Sequence, residues 1–264
     1  EGIVFTCRTI SEFIDYCLTL KNITMIAHNG KAYDAWMIHQ HLIKKTGQRP
    51  SKLILAGQKI MCMKIKSTTF IDSINHVASG LEGLPKIFGL DTEGLKKGFF
   101  PYTFNTKDNE SYIGTMPDIK HFDPDRMMPA KRAEFIKWYD NMVKNKYVWN
   151  HKKELEEYCK SDVIILARAM KIYQENGIES SGGIDPLNCV TIASYCLRVF
   201  KTNHMGNETI AVLKKNEYAF CKRAFFGGRT NAISLYKDWT KSVDEGVYGR
   251  YIDVQSLYPS VQFY

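Results

Sequence analysis

The segment ITMIAHNGKAYDAW, residues 23–36, decides the fold class. Its apolar run Ile23–Ala27 predicts a strand, and His28-Asn29-Gly30 predicts the turn that ends this strand. The residues that follow, Tyr33–Lys45, place apolar side chains at helical spacing and predict an amphipathic helix. A strand that leads through a turn into a helix is the unit from which α/β proteins are built.

Further strands and helices alternate on both sides of this unit. Three more apolar runs predict strands: Leu53–Ala56, Ile60–Ile65 and Thr69–Ile71. Upstream, Ile3–Cys7 predicts a short strand, and Ser11–Leu20 predicts a helix that Ser11 caps. Downstream, Pro129–Met142 and Lys152–Tyr173 predict helices, and an aromatic-rich irregular segment precedes them. This alternation predicts an α/β layer architecture.

The C-terminal third has the features of a second domain. Ser180-Ser181-Gly182-Gly183 predicts a linker, and Asp185-Pro186 predicts the start of a helix that runs to about Phe200. Tyr218–Tyr264 is rich in β-forming residues. We therefore expect one domain over residues 1–178 and a second over residues 179–264.

Composition narrows the class of protein. The chain has 264 residues, of which 44% are hydrophobic and 24% charged, which excludes a disordered tail. Its 36 Lys and Arg against 28 Asp and Glu give a net charge of +8, which favours a polyanionic partner. A merely soluble basic protein could carry the same charge, so charge alone does not decide between the two. Seven cysteines without a Cys-x-x-Cys pair indicate free thiols in a reducing compartment, and no apolar run is long enough to span a membrane.

Two clusters of polar residues lie where an α/β fold gathers functional groups. Asn29, Tyr33 and Asp34 follow a strand and begin a helix, where open α/β sheets bind ligands. Tyr158 and Asp162 share one helix face, so that the phenol could orient a water beside a metal ion held by the carboxylate. Each cluster has a structural alternative. Asp34 would be a first-turn carboxylate favoured by the helix dipole with Tyr33 in the core, and the second cluster a half-buried pair on an amphipathic helix.

A third cluster is the string YIDVQSLYPS, residues 251–260. A β-forming run carries Asp253, and Pro259 breaks this run. A strand that delivers a carboxylate, followed by a turn of backbone N–H groups, suits the binding of Mg²⁺ and a triphosphate.

The three clusters together resemble the motifs of one enzyme family. Asp-x-x-Ser-Leu-Tyr-Pro-Ser resembles the first palm motif of family B DNA polymerases, and Asn-x3-Tyr-Asp and Tyr-x3-Asp resemble the second and third motifs of their 3′–5′ exonuclease domain. Other segments resemble motifs of the protein-primed branch of this family, which is found in viruses, linear plasmids and self-synthesising transposons. They are Leu84–Leu90, followed by Lys97–Tyr102, and Phe225–Gly228. The resemblance implies an RNase H-like exonuclease domain over 1–178 and the N-terminal part of an α+β palm over 179–264.

For the exonuclease site, the resemblance implies two-metal catalysis. Asp34 and Asp162 would bind Mg²⁺ or Mn²⁺, and Tyr158 would orient the attacking water. Three residues would contact the frayed 3′ end of single-stranded DNA: Asn29, Tyr33 and Ser73.

For the palm, the resemblance implies the start of a polymerase site. Asp253 would be a catalytic carboxylate that binds both metal ions. Four residues would bind the incoming nucleotide: Val254, Ser256, Leu257 and Tyr258. Three others would contact the DNA: Phe225, Gly227 and Gly228.

Departures from the family pattern favour an internal fragment that is inactive alone. The first exonuclease motif, Asp-x-Glu, is absent upstream of Asn29, and Asp91-Thr92-Glu93 lies too late in the chain to replace it. Phe225 stands where the family has Tyr, and the chain has neither an initiator Met nor the later palm motifs.

The expected partners are template and primer DNA, deoxynucleoside triphosphates and a terminal protein primer, in an intracellular setting such as a nucleus or a viral replication site. A truncated remnant that only binds single-stranded DNA is the alternative. A stand-alone exonuclease is disfavoured, because such an enzyme would not need Asp253–Ser260.

Overall fold

The structure, a computed structural model, describes residues 4–90, 98–206, 209–210, 213–227, 230–236, 250 and 252–263. The chain forms two compact units, Glu1–Asn207 and Glu208–Tyr264. Several residues of the predicted motifs lie outside the described ranges: Asp91–Glu93, Lys97, Gly228 and Tyr251. The predicted functional boundary between residues 178 and 179 stays a prediction.

The first unit contains, in chain order, α1 (Ile10–Thr19), β1 (Thr24–Ala27), α2 (Asp34–Thr46), β2 (Lys52–Ala56), β3 (Lys59–Ile65), β4 (Thr68–Asp72), α3 (Leu84–Phe88), β5 (Ile113–Gly114), α4 (Pro129–Lys144), β6 (Trp149–Asn150), α5 (His151–Ser180) and α6 (Ile192–Asn203). Short 3₁₀ helices connect several of these elements. The second unit contains α7 (Lys215–Lys222) and α8 (Leu257–Phe263).

The main sheet is mixed and has the strand order β1-β4-β3-β2. β1 pairs with β4 in parallel, so that Ala27 at the end of β1 is opposite Asp72 at the end of β4. β3 is antiparallel to both β4 and β2. The predicted strands on either side of α2 and the α/β class are therefore confirmed. Because parallel neighbours end at the same edge, the turns that follow β1 and β4 lie side by side.

Helices α1 and α2 pack on one face of this sheet. Their contribution to the core is Ile14 and Leu42, which meet buried residues of β3: Ile60, Met63 and Ile65. Each fully buried aliphatic side chain contributes about 1.5–3 kcal/mol relative to exposure. This packing fixes the position of α2 against the sheet, and with it the turn that connects β1 to α2.

Two further clusters hold the long helix α5. Leu84 of α3 packs against Ile165 and Ala169 of α5, and all three are buried. An aromatic cluster built on four buried residues lies nearer the start of α5: Phe100, Phe122, Phe135 and Trp149. The aromatic-rich segment before α4 is therefore docked on the core, although its own structure is mostly short 3₁₀ turns.

The N-terminal expectations are wrong in two respects. Residues 4–7 do not form a strand. Helix α1 begins at Ile10, and its cap is Thr9, whose side chain accepts a hydrogen bond from the Glu12 backbone N–H at 3.2 Å, rather than Ser11. Thr9 directly precedes the helix and satisfies a backbone N–H of its first turn, so that Ser11 lies inside the helix.

The predicted linker and the helix after it also differ from the structure. Helix α5 continues through Ser180, and the Tyr195 hydroxyl of α6 donates a hydrogen bond to the Gly177 carbonyl at 2.6 Å. Asp185 caps only a 3₁₀ turn over Pro186–Asn188, and α6 starts afresh at a capping box on Thr191. The Ser-Gly stretch is thus a turn between two packed helices.

The β-rich character predicted for the second unit is wrong for its described residues. α7 and α8 are helical, and the described residues around Asp253, 252–254, do not form a strand. A strand needs a paired neighbour, and no described residue of this unit provides one. Within the described part of the chain, no helix combines the length and apolarity that crossing a membrane requires.

Candidate functional site

The turn between β1 and α2 has a tightly constrained backbone. Asn29 has a φ of 61°, in the left-handed region that Asn tolerates better than most residues. Gly30 is buried, and a Cβ at this position would lie 2.6 Å from the Cβ of Ala27. A side chain at residue 30 would therefore collide with the end of β1. The Asn-Gly pair is required by the shape of this turn.

The turn after β4 contacts this segment directly. Asp72 is 2% exposed, and its carboxylate accepts hydrogen bonds from the backbone N–H groups of Asn29 at 3.1 Å and Lys31 at 2.9 Å. Ser73 is also buried, and its hydroxyl lies 2.8 Å from Nδ1 of His28. The structure thus brings Asn29 and Ser73 to one edge of the sheet. Asn29 is exposed there, whereas Ser73 is 1% exposed, so in this conformation Ser73 is not placed to contact DNA directly as the sequence predicted.

Tyr33 and Asp34 are at the start of α2 and face solvent. The Tyr33 side chain is 71% exposed, so the alternative that places it in the core is wrong. Asp34 is exposed in the first turn of α2, where the helix dipole favours a carboxylate. Its position agrees with both interpretations of this residue, the structural and the functional one.

Tyr158 and Asp162 lie one turn apart on α5, and both are partly buried. The Oδ1 atom of Asp162 is itself buried. Burial raises the pKa of the Tyr158 phenol, the hydrogen bond from Tyr102 lowers it, and the negative charge of Asp162 raises it. The phenol therefore stays protonated at neutral pH and keeps an O–H group that can donate to a water or a phosphate oxygen.

Tyr102 is the residue of this neighbourhood that sequence reasoning missed. Its hydroxyl lies 2.5 Å from the hydroxyl of Tyr158, although the two residues are 56 positions apart. Phe100 supports the pair, because its ring lies 5.2 Å from that of Tyr158. The available signal is the Lys97–Tyr102 motif, which the sequence analysis relates to a subfamily and not to a site.

An open groove connects the start of α2 with α5. Its volume is about 1010 Å³, and Asp34 lines it together with residues from the turns of α5 that carry Tyr158 and Asp162: Leu155, Glu156, Cys159, Lys160 and Val163. Its walls carry cations and carboxylates in equal number: Arg8, Lys152 and Lys160, and Asp34, Glu110 and Glu156. A groove of this size with cations along its walls can accommodate a phosphodiester chain.

The predicted metal ligands Asp34 and Asp162 do not form a complete metal site among the described residues. Asp34 and Asp162 offer the oxygen donors that Mg²⁺ and Mn²⁺ prefer. Within the described ranges, no group of three or more His, Cys, Asp or Glu side chains lies close enough to hold a metal ion. Further ligands are therefore needed before the pair could bind a metal ion tightly.

In the second unit, the predicted site residues that the structure describes are exposed, and they lie in two segments of the sequence, 225–227 and 253–258. Ser256 has a φ of 55° and ends the segment that carries Asp253, and α8 begins at Leu257. Tyr258 and Phe225 are 71% and 82% exposed. Two of the others, Val254 and Gly227, also face solvent. Each unit thus contains predicted site residues of its own.

Comparison with known proteins gives a consistent result. The family model described as DNA polymerase type B, organellar and viral, matches residues 14–263. A "Probable DNA polymerase" of Neurospora intermedia is 31% identical over 198 residues, which cover 74% of this chain and 19% of that protein. A "DNA polymerase" of Kluyveromyces lactis is 24% identical over 295 aligned residues, which cover 100% of this chain and 26% of that protein.

A "Probable DNA polymerase" of Podospora anserina is 26% identical over 194 residues, which cover 73% of this chain and 14% of that protein. The chain thus spans about a quarter or less of the length of these relatives. No solved structure matches the chain at comparable significance.

Proposed function

The chain belongs to the organellar and viral type B DNA polymerases. From this we propose that residues 1–178 form the proofreading 3′–5′ exonuclease domain of a protein-primed polymerase. Residues 179–264 would form the start of its palm. The observation that carries the proposal is the match of the family model to residues 14–263, which include all three motif clusters in their family order. The mixed sheet with flanking helices is compatible with an RNase H-like domain.

In the proposed exonuclease, the edge of the sheet binds the frayed 3′ end of the primer. The exposed side chains of Asn29 and Tyr33 face solvent beside the groove that Asp34 lines. Stacking of a base on the Tyr33 ring is tolerant of sequence and contributes about 1–3 kcal/mol. Ser73 is buried and supports this edge from the interior through its hydrogen bond with His28.

The proposed reaction is hydrolysis of the terminal phosphodiester. A water oxygen bonds to phosphorus and gives up a proton to solvent, and the bond from phosphorus to the 3′ oxygen of the preceding nucleotide breaks. That oxygen takes up a proton to become the new 3′ hydroxyl, and a nucleoside 5′-monophosphate leaves. Tyr158, protonated at neutral pH, orients the water through its hydroxyl, and Tyr102 holds that hydroxyl in place. Mg²⁺ or Mn²⁺ ions, bound in part by Asp34 and Asp162, would stabilise the charge on the attacking and leaving oxygens.

In the proposed palm, Asp253 is the metal-binding carboxylate for nucleotide addition. The backbone N–H groups of Ser256 and Leu257 would face the triphosphate, and the Tyr258 ring would pack under the sugar. Phe225 and the glycines that follow it would lie near the template backbone. The full protein would start synthesis from a hydroxyl group on a terminal protein. The palm assignment rests on the motif at residues 251–260 and on the family match.

The experiment that tests the proposal adds the chain to a fluorescein-labelled single-stranded oligonucleotide with a free 3′ end. We expect binding that weakens as salt rises, with a slope of log K against log salt of about −0.7 for each phosphate contacted. With Mn²⁺ present, we expect little or no cleavage, because the described carboxylates do not complete a metal site. Absence of binding at low salt would refute the proposal. Rapid cleavage would instead refute the expectation that the chain is inactive alone.

A further inference from the structure

We propose that Asp72, which carries none of the predicted catalytic roles, is a positioning residue that sets the conformation of the DNA-binding turn Asn29–Lys31. The inference rests on the proposed function, since it concerns how the same edge of the sheet is prepared for a 3′ end. Asp72 ends β4 and is 2% exposed, so it is not placed to touch DNA itself.

The carboxylate of Asp72 connects two turns through three backbone donors. Its Oδ1 atom accepts from the N–H of Asn29 at 3.1 Å and from the N–H of Ile74 at 2.9 Å. Its Oδ2 atom accepts from the N–H of Lys31 at 2.9 Å. One buried side chain therefore satisfies donors on both sides of Gly30 and caps the 3₁₀ turn that begins at Ser73.

This connection opposes a conformational cost in the turn. Asn29 lies in the left-handed region, which non-glycine residues adopt only when their surroundings hold them there. Hydrogen bonds to a buried charged acceptor are stronger than those between neutral groups. Asp72 therefore stabilises the backbone shape that directs the Asn29 side chain to solvent at the edge of the sheet.

A second contact tightens the same connection. The Lys31 ammonium donates a hydrogen bond to Oδ1 of Asn75 at 2.7 Å, and Asn75 in turn reaches the Met61 carbonyl of β3 at 3.4 Å. The turn that carries the proposed DNA contacts is thus linked to the interior of the sheet. A change at Asp72 is expected to release the turn without removing any group that touches DNA.

The test is the full chain with Asp72→Asn, which keeps the shape of the side chain. The amide oxygen can still accept from Asn29 and Ile74, but the new NH₂ group faces the N–H of Lys31, so that two donors oppose each other. Asp185→Asn is the matched control. Asp185 also caps a 3₁₀ turn, through Leu187 at 2.8 Å, but its second oxygen accepts from the Gln174 side chain, which can rotate to suit an amide.

Two measurements decide the outcome. Amide hydrogen exchange followed by NMR should show faster exchange of Lys31 N–H in Asp72→Asn and unchanged exchange in Asp185→Asn. Binding of a labelled oligo-dT with a free 3′ end should weaken about tenfold in Asp72→Asn, the size expected for loss of one hydrogen bond to a charged group, and stay within about twofold in the control.

If wild type binds the oligonucleotide and Asp72→Asn binds it equally well, the positioning role is refuted and the proposed function stands. If wild type does not bind at all, the proposed function fails, and Lys31 exchange alone decides whether Asp72 holds the turn. Should Asp72→Asn fail to fold, Asp72→Thr replaces it. The Thr hydroxyl can cap Ile74 but is too short to reach Lys31, so the same loss of protection and affinity is expected.

Discussion

Gly30 offers a direct test of the geometry at the candidate site. Substitution by Ala would place a Cβ atom 2.6 Å from the Cβ of Ala27 and 3.5 Å from Oδ2 of Asp34. The favourable distance between two carbon atoms is about 3.5–4.0 Å, so the overlap with Ala27 is roughly 1 Å. Neither side can yield easily, because Ala27 is fixed in β1 by its pairing with β4.

The expected magnitude follows from this overlap. Inserting a methyl group into a filled space costs about 1–3 kcal/mol of the free energy of unfolding. With a urea dependence of about 1–3 kcal/mol per molar, the unfolding midpoint should fall by about 1 M. The backbone must also move between Asn29 and Asp34, so affinity for a single-stranded oligonucleotide should fall with the midpoint.

The assay is urea unfolding followed by tryptophan fluorescence, with Gly80→Ala as the control. Gly80 has an ordinary φ of −67°, and a Cβ there would meet no atom within 4 Å. The control should therefore be as stable as wild type or gain up to about 1 kcal/mol from a less flexible unfolded chain. Equal midpoints for Gly30→Ala and Gly80→Ala would contradict the close approach of the turn to β1.

Two further predictions concern ionisable groups. Burial lowers the pKa of His76 below its usual 6.5. As the pH falls below 6.5, His76 therefore binds a proton in the unfolded chain before it does so in the folded chain. The free energy of unfolding should therefore decrease from pH 7.5 to 5.5, by up to about 1.4 kcal/mol per pH unit for this group. In His76→Gln, the urea midpoint should decrease less over the same pH range. The hydrogen bond from Tyr102 lowers the pKa of Tyr158, so Tyr102→Phe should raise that pKa further in a titration of ¹³C-labelled tyrosine by NMR. An unchanged titration of Tyr158 would show that the two hydroxyls do not interact.

Local patterns predicted the sheet and the long helices well. The apolar runs of β1, β3 and β4 carry their own signal, since β-branched and large aliphatic side chains at these positions favour a strand wherever a partner is available. The spacing of three and four predicts helix α5, but it places the end at Tyr173, whereas the helix continues to Ser180, where α6 packs on Gly177. Contacts of this kind join residues that are distant in the sequence, so the local pattern does not predict them.

The errors at the helix ends had readable signals. Thr9 and Glu12 form the Thr-x-x-Glu pattern of a capped N-terminus, and the Glu12 carboxylate accepts the Arg8 backbone N–H at 2.8 Å. Two residues that can cap a helix, Thr9 and Ser11, lie within one turn. Thr9 is the cap in the structure, and Ile14 of the helix is buried in the core. Pattern alone does not rank two such caps.

The sequence suggests candidate site residues, but it does not indicate the contacts between distant parts of the chain. Asn29, Asp34 and Asp162 stand out because their types and spacing suit phosphodiester chemistry. The contact of Asp72 with Asn29 in the turn after β1 depends on β1 and β4 being parallel neighbours, and the two residues are 43 positions apart in the sequence. The same holds for Tyr102 and Tyr158, which lie on separate elements of the chain.

The central claim is that the edge of the sheet at Asn29–Asp34 binds the 3′ end of single-stranded DNA. It is tested most directly with an oligonucleotide that carries 2-aminopurine at its 3′ terminus, whose fluorescence is quenched by stacking. We expect quenching by wild type and by Tyr33→Phe, which keeps the ring, and loss of quenching in Tyr33→Leu. Equal quenching by Tyr33→Leu, or none by wild type, would contradict it.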